Sequence, residues 1–269
     1  MSKILTVNNL DFAYGDNHIF ENITFYLESN TINYIIGSNN CGKTTLIKLI
    51  SGVLPSFNCI KIDNVILNKN NINKYLRAMG VALFESSNQF LFDNVLKEMS
   101  FPLENLNLSK KKILARVDEV LDLFNMKSIK TKQISDLSLL EKNKLIIALS
   151  MLHKPRILLL DNPYIGLNKK ESNVINRLLK LVCKKENITI LLTTDNLENV
   201  LIGDNILVIA EKKIFLQGSV LDILKQDNKL VRLGINIPTM IDLSIKLSEY
   251  NLLDEIILDT DRMVDTLWK

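Results

Sequence analysis

A chain of 269 residues with 47% hydrophobic and 23% charged residues can bury a substantial core, which excludes a disordered polymer. A net charge of +3 is too small to mark a nucleic-acid partner, and no run approaches the ~18 uninterrupted apolar residues of a membrane helix. The three cysteines, Cys41, Cys59 and Cys183, are odd in number and lack C-x-x-C spacing, which suits a reducing cytosol. The first residues carry no apolar signal region, and the abundance of Asn, Lys and Ile reads as compositional drift.

In chain order, residues 3–36 alternate apolar and polar side chains and predict strands, including Lys3-Ile-Leu-Thr-Val7 and Asn22-Ile-Thr-Phe-Tyr-Leu27. The apolar run Ile32-Asn-Tyr-Ile-Ile36 leads into Gly37-Ser38-Asn39-Asn40-Cys41-Gly42-Lys43-Thr44, which fits G-x-x-x-x-G-K-[ST]. A helical pattern through Thr45 to Ile50 follows, so the loop lies between strand and helix as a phosphate-cradling loop requires. Gly37 and Gly42 let backbone N–H groups turn inward onto phosphate oxygens, and the helix adds the positive end of its dipole. Lys43 is placed to reach the β- and γ-phosphates and the Thr44 hydroxyl to ligate Mg²⁺. Asn40 stands where glycine is usual, but asparagine tolerates the left-handed region. Cys41, at a helix N-terminus beside Lys43, has either a lowered pKa or the role of an inert small residue; the second reading is favoured.

Residues 58–67 and 79–84 predict further strands continuing the sheet, and from about 94 to 150 Leu and Ile recur at three- and four-residue spacing, a helical stretch. Lys110-Lys-Lys112 reads as a solvated helix face. Arg156-Ile-Leu-Leu-Leu160-Asp161 is a buried-strand pattern ending in a carboxylate. Strands near 157–161, 188–193 and 206–209 alternate with helices, the α/β pattern of a parallel sheet.

The glycine loop, a Leu137-Ser138 dipeptide, the Asp161 strand and Tyr14 upstream together resemble the ATP-binding subunits of ABC transporters. In that family an aromatic residue before the loop stacks on adenine, and Tyr14 in Asp11-Phe-Ala-Tyr14-Gly15 matches it; an exposed strand-end tyrosine without a ligand is the alternative. Val81-Ala-Leu-Phe-Glu-Ser-Ser-Asn-Gln-Phe90, with its distinctive Asn88-Gln89-Phe90, is similar to the Q-loop of energy-coupling factor (ECF) importers. Gly218-Ser-Val-Leu-Asp-Ile-Leu224 and Leu230-Val-Arg-Leu-Gly234-Ile-Asn-Ile-Pro238 are similar to the tail of those subunits. The resemblance implies a P-loop ABC-type domain over 1–224, with a mixed sheet core and a helical signature subdomain at about 94–150, followed by a small C-terminal helical extension over 225–269. It also implies ATP and Mg²⁺ as ligands, with Thr44, Asp161 and Glu85 near the metal. The implied partners are a second ABC-type ATPase subunit and integral membrane subunits, reached peripherally at the cytoplasmic face.

The departures from the family pattern concern hydrolysis. Asn162 follows Asp161 where the family has a water-activating Glu, and an amide cannot take a proton from water. Asp195 in Leu192-Thr-Thr-Asp195 replaces a histidine that contacts the γ-phosphate. Glu85 replaces the Q-loop glutamine, Asn168 an aspartate, and Leu137-Ser138-Leu139-Leu140-Glu141 the glycine-containing signature that binds a partner's ATP. No register shift repairs these losses: no glycine lies between Gly80 and Gly166, and the histidines are His18 and His153. Each missing preorganised contact costs about 3–4 kcal/mol of transition-state stabilisation. The expectation is a subunit that binds Mg²⁺-ATP, weakly relative to ADP, with very slow hydrolysis at its own loop. The readings beside it are half of another ABC system, such as an exporter, and a non-hydrolysing nucleotide-dependent scaffold.

Overall fold

The alternating segment at the start folds into a long hairpin whose buried positions face one side. In the computed structural model, which describes residues 2–84, 90–254, 256–257 and 260–267, β1 (Lys3–Tyr14) and β2 (Asn17–Glu28) pair antiparallel. β3 (Ile32–Ile36), buried at every position, runs into the glycine loop and α1 (Lys43–Ile50). β4 (Ile60–Ile62), β5 (Val65–Ile66), α2 (Ile72–Arg77) and β6 (Met79–Leu83) follow. β4 pairs with β1, so a four-stranded sheet has the order β2-β1-β4-β5 and does not include β6. The expectation that residues 58–67 and 79–84 continue a single sheet is thus corrected: a two-residue period identifies a strand but carries nothing about its neighbour.

The helical stretch resolves into α3 (Val95–Glu104), α4 (Lys110–Leu123) and α5 (Leu139–Met151), with two 3₁₀ turns between the last two. Lys110, Lys111 and Lys112 lie exposed in the first turn of α4, as expected of a solvated face. β7 (Ile157–Asp161), α6 (Lys169–Glu186), β8 (Thr189–Thr193), β9 (Asn205–Ala210) and β10 (Lys213–Ser219) then complete a six-stranded sheet of order β10-β9-β3-β8-β7-β6. All its pairs are parallel except β9–β10, an antiparallel edge hairpin. The periodicity does not reveal β10. Its two-residue turn uses Glu211 and Lys212 at φ 49 and 64, a conformation usually signalled by Asn-Gly.

Strands buried on both faces divide the core in two. Ile190 and Leu192 of β8 face the helices, whereas Leu191 faces α1, whose Leu46, Ile47, Leu49 and Ile50 are sandwiched against Leu5 and Ile23 of the smaller sheet. The tail continues as α7 (Val220–Leu224), α8 (Asp227–Arg232), α9 (Thr239–Glu249) and α10 (Thr260–Leu267). Leu230, Ile235, Ile241 and Ile245 belong to the helix-side core, while Leu253, Ile257 and Met263 form a small separate cluster. No helix among the described residues is long and apolar enough to cross a membrane.

Asparagine has a structural use that composition alone conceals. Among the described residues, ten of the fourteen non-glycine residues at positive φ are asparagines, including Asn40, Asn162 and Asn187. With nine glycines in the whole chain, asparagine takes much of the left-handed backbone. Its abundance, read above as drift, therefore supplies turns.

Candidate functional site

Parallel strands that start in register also end together. Ile35 of β3 pairs with Thr193 of β8, and Leu160 of β7 with Leu192, so the loops leaving all three strands emerge at one edge. This is where open α/β sheets present ligand sites.

The glycine loop is shaped by close approach. A Cβ on Gly37 would meet Cys41 Sγ at 2.5 Å and the Ile209 carbonyl oxygen at 2.6 Å; one on Gly42, at φ 102, would meet the Phe20 ring at 2.7 Å. Asn40 adopts φ 62, so the left-handed turn expected of it is present. Ser38, Asn39 and Asn40 form the exposed rim. Thr44 and Thr45 lie in the first turn of α1, which has no acidic residue there and no side-chain cap, leaving its N–H groups open to an anion. Burial pushes the Cys41 thiol up, against the pull of Lys43, a direction that favours the inert reading of this cysteine over the reactive one.

Lys43 reaches back over the loop. Its Nζ donates to the carbonyls of Gly37 at 2.9 Å and Ser38 at 3.1 Å, and pairs with Asp195 Oδ1 at 3.2 Å. Asp161, at the end of β7, is buried, and its Oδ1 accepts from the Thr193 hydroxyl at 2.6 Å. The same Thr193 oxygen accepts from the Asn162 N–H at 2.8 Å. Asn162 sits at φ 55, so the backbone turns immediately after the acid. Thr193 is a residue that motif reading misses. Its only signal is a hydroxyl at the end of the strand beside the one carrying Asp161.

Tyr14 ends β1, half exposed, with its ring edge-on to Phe12 at 4.8 Å. It is near the loop because the hairpin register pairs Phe12 with Phe20, the ring that packs on Gly42. An exposed aromatic face at that position can stack on a base.

Whether this edge fits a magnesium nucleotide can be judged from its donors. Among the described residues no three His, Cys, Asp or Glu side chains group to hold a metal. A Mg²⁺ site here would rest on the Thr44 hydroxyl and Asp161 with phosphate oxygens completing it, the usual manner for this ion. The glycine cradle, the open helix N-terminus and a buried, oriented carboxylate fit that group. Glu85, and the Asn88-Gln89 pair of the Q-loop segment, lie outside the described residues.

The Leu137–Glu141 segment forms the start of α5. Leu137 is buried, and Ser138 caps the helix: its Oγ accepts from the Glu141 N–H at 3.2 Å, while Glu141 Oε2 accepts from the Ser138 N–H at 2.8 Å. That bond from the Ser138 N–H holds the Glu141 carboxyl below its usual range. The helix N-terminus thus already carries its own anion. Leu139 is half exposed and lies over Gly166, while Leu140 packs on the core.

Two further groups tie α5 to the loop after β7. Buried Asn143 donates through Nδ2 to the carbonyls of Pro163 at 3.2 Å and Ile165 at 3.3 Å. The Tyr34 and Tyr164 hydroxyls meet at 2.9 Å, and Tyr164 donates to Asn176 at 2.7 Å, linking β3, this loop and α6. Asn168 caps α6 through a capping box with Glu171.

Comparison with known proteins agrees with this geometry. The ABC transporter family profile matches residues 20–165, and the chain belongs to that family. The energy-coupling factor transporter ATP-binding protein EcfA1 of Streptococcus agalactiae is 29% identical over 242 residues, spanning 88% of this chain and 87% of that protein. EcfA1 of Lactococcus lactis subsp. lactis is 28% identical over 272 residues, spanning 99% and 98%. Among solved structures, cbiO1 from Clostridium perfringens, described as part of the ABC transporter complex cbiONQ, superposes with a TM-score of 0.79 at 27% identity, covering 93% of this chain and 100% of that one.

Proposed function

We propose that this chain is the nucleotide-binding subunit of an ECF-type ABC importer, holding Mg²⁺-nucleotide with little hydrolysis at its own loop. The observation that carries the reading is the pairing of an intact cradle with altered chemistry. Lys43, Thr44 and Asp161 stand at the sheet edge, but the residue after Asp161 is an amide and the one after Thr194 a carboxylate. In this reading Tyr14 stacks on the adenine, the 37–42 backbone holds the phosphates, and Thr44 and Asp161 hold the metal. Resemblance to the EcfA1 proteins along nearly the whole chain supports the ECF assignment.

ABC subunits pair so that one chain's loop faces the other's signature. A homodimer would combine two loops lacking a water-activating carboxylate with two leucine-bearing signatures. A heterodimer keeps one site with intact catalytic residues, so a second ATPase subunit is the proposed partner. Membrane subunits are proposed to dock beside the Q-loop segment, where Phe92 and Phe101 pack with ring centroids 5.3 Å apart in a groove of about 670 Å³ that Leu96 and Ile113 also line. Glu98 holds the residues that follow that segment, accepting from the Leu91 and Phe92 N–H groups at 2.9 and 2.8 Å.

Titration of the purified chain with a fluorescent adenine nucleotide and Mg²⁺ tests the first half. Binding should be weakened about 100-fold in Lys43→Ala, since charge-assisted hydrogen bonds contribute about 1.5–3 kcal/mol each. Phosphate release at ordinary ABC rates by the wild type, lost in Lys43→Ala, would show that hydrolysis has survived. Copurification from membranes tests the second half, and a stable ATP-hydrolysing homodimer would contradict it.

A further inference from the structure

The P-loop lysine already has an anionic partner. An ammonium has three N–H donors, and those of Lys43 have three oxygens within reach: Gly37 O at 2.9 Å, Ser38 O at 3.1 Å and Asp195 Oδ1 at 3.2 Å. The lysine side chain is 11% exposed, so the carboxylate lies on a largely enclosed cation at the mouth of the loop.

Asp195 is held there by its neighbours. On one side, Thr193 is buried and fixed between Asp161 and the Asn162 N–H. On the other, the Thr194 oxygen accepts from Asn196 N–H at 3.2 Å and from Asn199 Nδ2 at 3.3 Å, and its hydroxyl donates to the Asn196 carbonyl at 3.3 Å. The Asn196 side chain in turn accepts from Glu198 N–H at 2.9 Å. The Asp195 side chain, 57% exposed, can swing on its Cβ, but its backbone cannot retreat without breaking these bonds.

A diphosphate seated in the loop is held by the 37–42 N–H groups and the α1 N-terminus, with its β-phosphate sharing the Lys43 ammonium with Asp195. A third phosphate makes a further claim on that ammonium and would bring its own negative charge up to the carboxylate paired with it at 3.2 Å. We propose that Asp195 is a specificity-determining residue that stands in for the terminal phosphate and makes this a diphosphate-selecting site, retaining ADP in preference to ATP. The proposal rests on the nucleotide-binding role argued above and adds which nucleotide the site keeps.

The test is equilibrium titration of the whole chain with fluorescent ADP and ATP, each with Mg²⁺ and with a chelator, for wild type and Asp195→Asn. Like charges a few ångströms apart near a protein surface repel by enough to change an affinity about tenfold or more. The wild type should therefore bind ADP about tenfold more tightly than ATP. Asp195→Asn should raise ATP affinity about tenfold while moving ADP by less than about twofold. Its unfolding midpoint should barely change, because an ion pair with an exposed partner adds little stability. Equal affinities in the wild type, or equal shifts for both nucleotides, overturn the selectivity alone. A fall in Mg²⁺-ATP affinity in the variant also overturns it, because the carboxylate would then be helping to hold the metal. Failure of both nucleotides to bind at millimolar concentration overturns this proposal together with the binding role beneath it.

Discussion

Asn40 and Asn162 are the same residue in the same left-handed conformation, at φ 62 and 55, in two loops of one sheet edge. At 40 the loop asks only that the backbone curl, and asparagine meets that need almost as glycine would. At 162 the backbone is equally satisfied, with its N–H on Thr193, yet the proposed reading gives this position the side chain that would accept a proton. The glycine loop works through main-chain geometry and has absorbed substitution. In the proposed reading the segments following β7, β8 and the start of α5 work through particular functional groups, and it is there that the residue types depart from the family pattern.

The largest expected effect comes from restoring those groups together. Asn162→Glu with Asp195→His, in a complex reconstituted with its second ATPase subunit, should raise phosphate release by about 100-fold, the lower range for a positioned general base. The single changes should give much less, because groups acting as a unit are not additive. No gain in the double variant would mean that the partner's face, and not these two side chains, limits turnover.

The next effect concerns the connection between the two regions. Asn143 is the buried donor for two carbonyls of the loop after β7. Asn143→Ala should cost about 2 kcal/mol in denaturant unfolding, because the carbonyls lose their donor inside the protein. A loss below about 0.5 kcal/mol would mean that the loop is held by the Tyr34–Tyr164–Asn176 chain alone.

What could be read from the sequence divides along the same line. The glycine loop, Lys43, Asp161 and most strands were legible, because each depends on local spacing: a fixed motif, or a period of two or 3.6 residues. The helical stretch near 94–150 and the βα alternation after it were legible for the same reason. The β1–β4 pairing was not, since a strand's neighbour is settled by packing around α1. Nor was β10, whose turn uses Glu211 and Lys212 without glycine or asparagine. Within the site, the substitutions at 162 and 195 could be seen, but the contact of Asp195 with Lys43 is a meeting of residues 152 positions apart that no spacing encodes. Thr193 and Asn143 carry no such signal, because a hydroxyl at a strand end and an amide on a helix look ordinary until their partners are known.

A smaller effect should come from the opposite end of the sheet. His153 Nε2 lies 2.7 Å from the Met79 carbonyl at the start of β6, and burial lowers its pKa from about 6.5, although the bond to Met79 opposes the shift. The folded state then binds protons less readily than the unfolded one. Stability is fully present above about pH 6.5 and is lost as the pH falls below that value towards the folded pKa. Glu119 and Glu141, held low by Arg116 and by the Ser138 N–H, contribute only in a more acidic window beginning below about 4.5. Unfolding midpoints between pH 7 and 5 should therefore fall in the wild type and stay flatter in His153→Gln. Identical slopes would place the titrating group elsewhere.

The smallest effect tests the backbone side of the comparison directly. If the turn at 162 is imposed by the fold, glycine should serve there as well as asparagine. Asn162→Gly should then change stability by less than about 0.5 kcal/mol, as relief of left-handed strain offsets the greater freedom of the unfolded chain. Asn162→Ala and Asn162→Glu should each cost about 1 kcal/mol, because a Cβ without a short polar group is disfavoured at φ 55. The glutamate that would recover the chemistry thus carries a backbone penalty here. Thermal and denaturant unfolding of the three variants would measure it. If glutamate costs nothing, the left-handed turn follows from the asparagine itself, and this loop is not set by the surrounding fold.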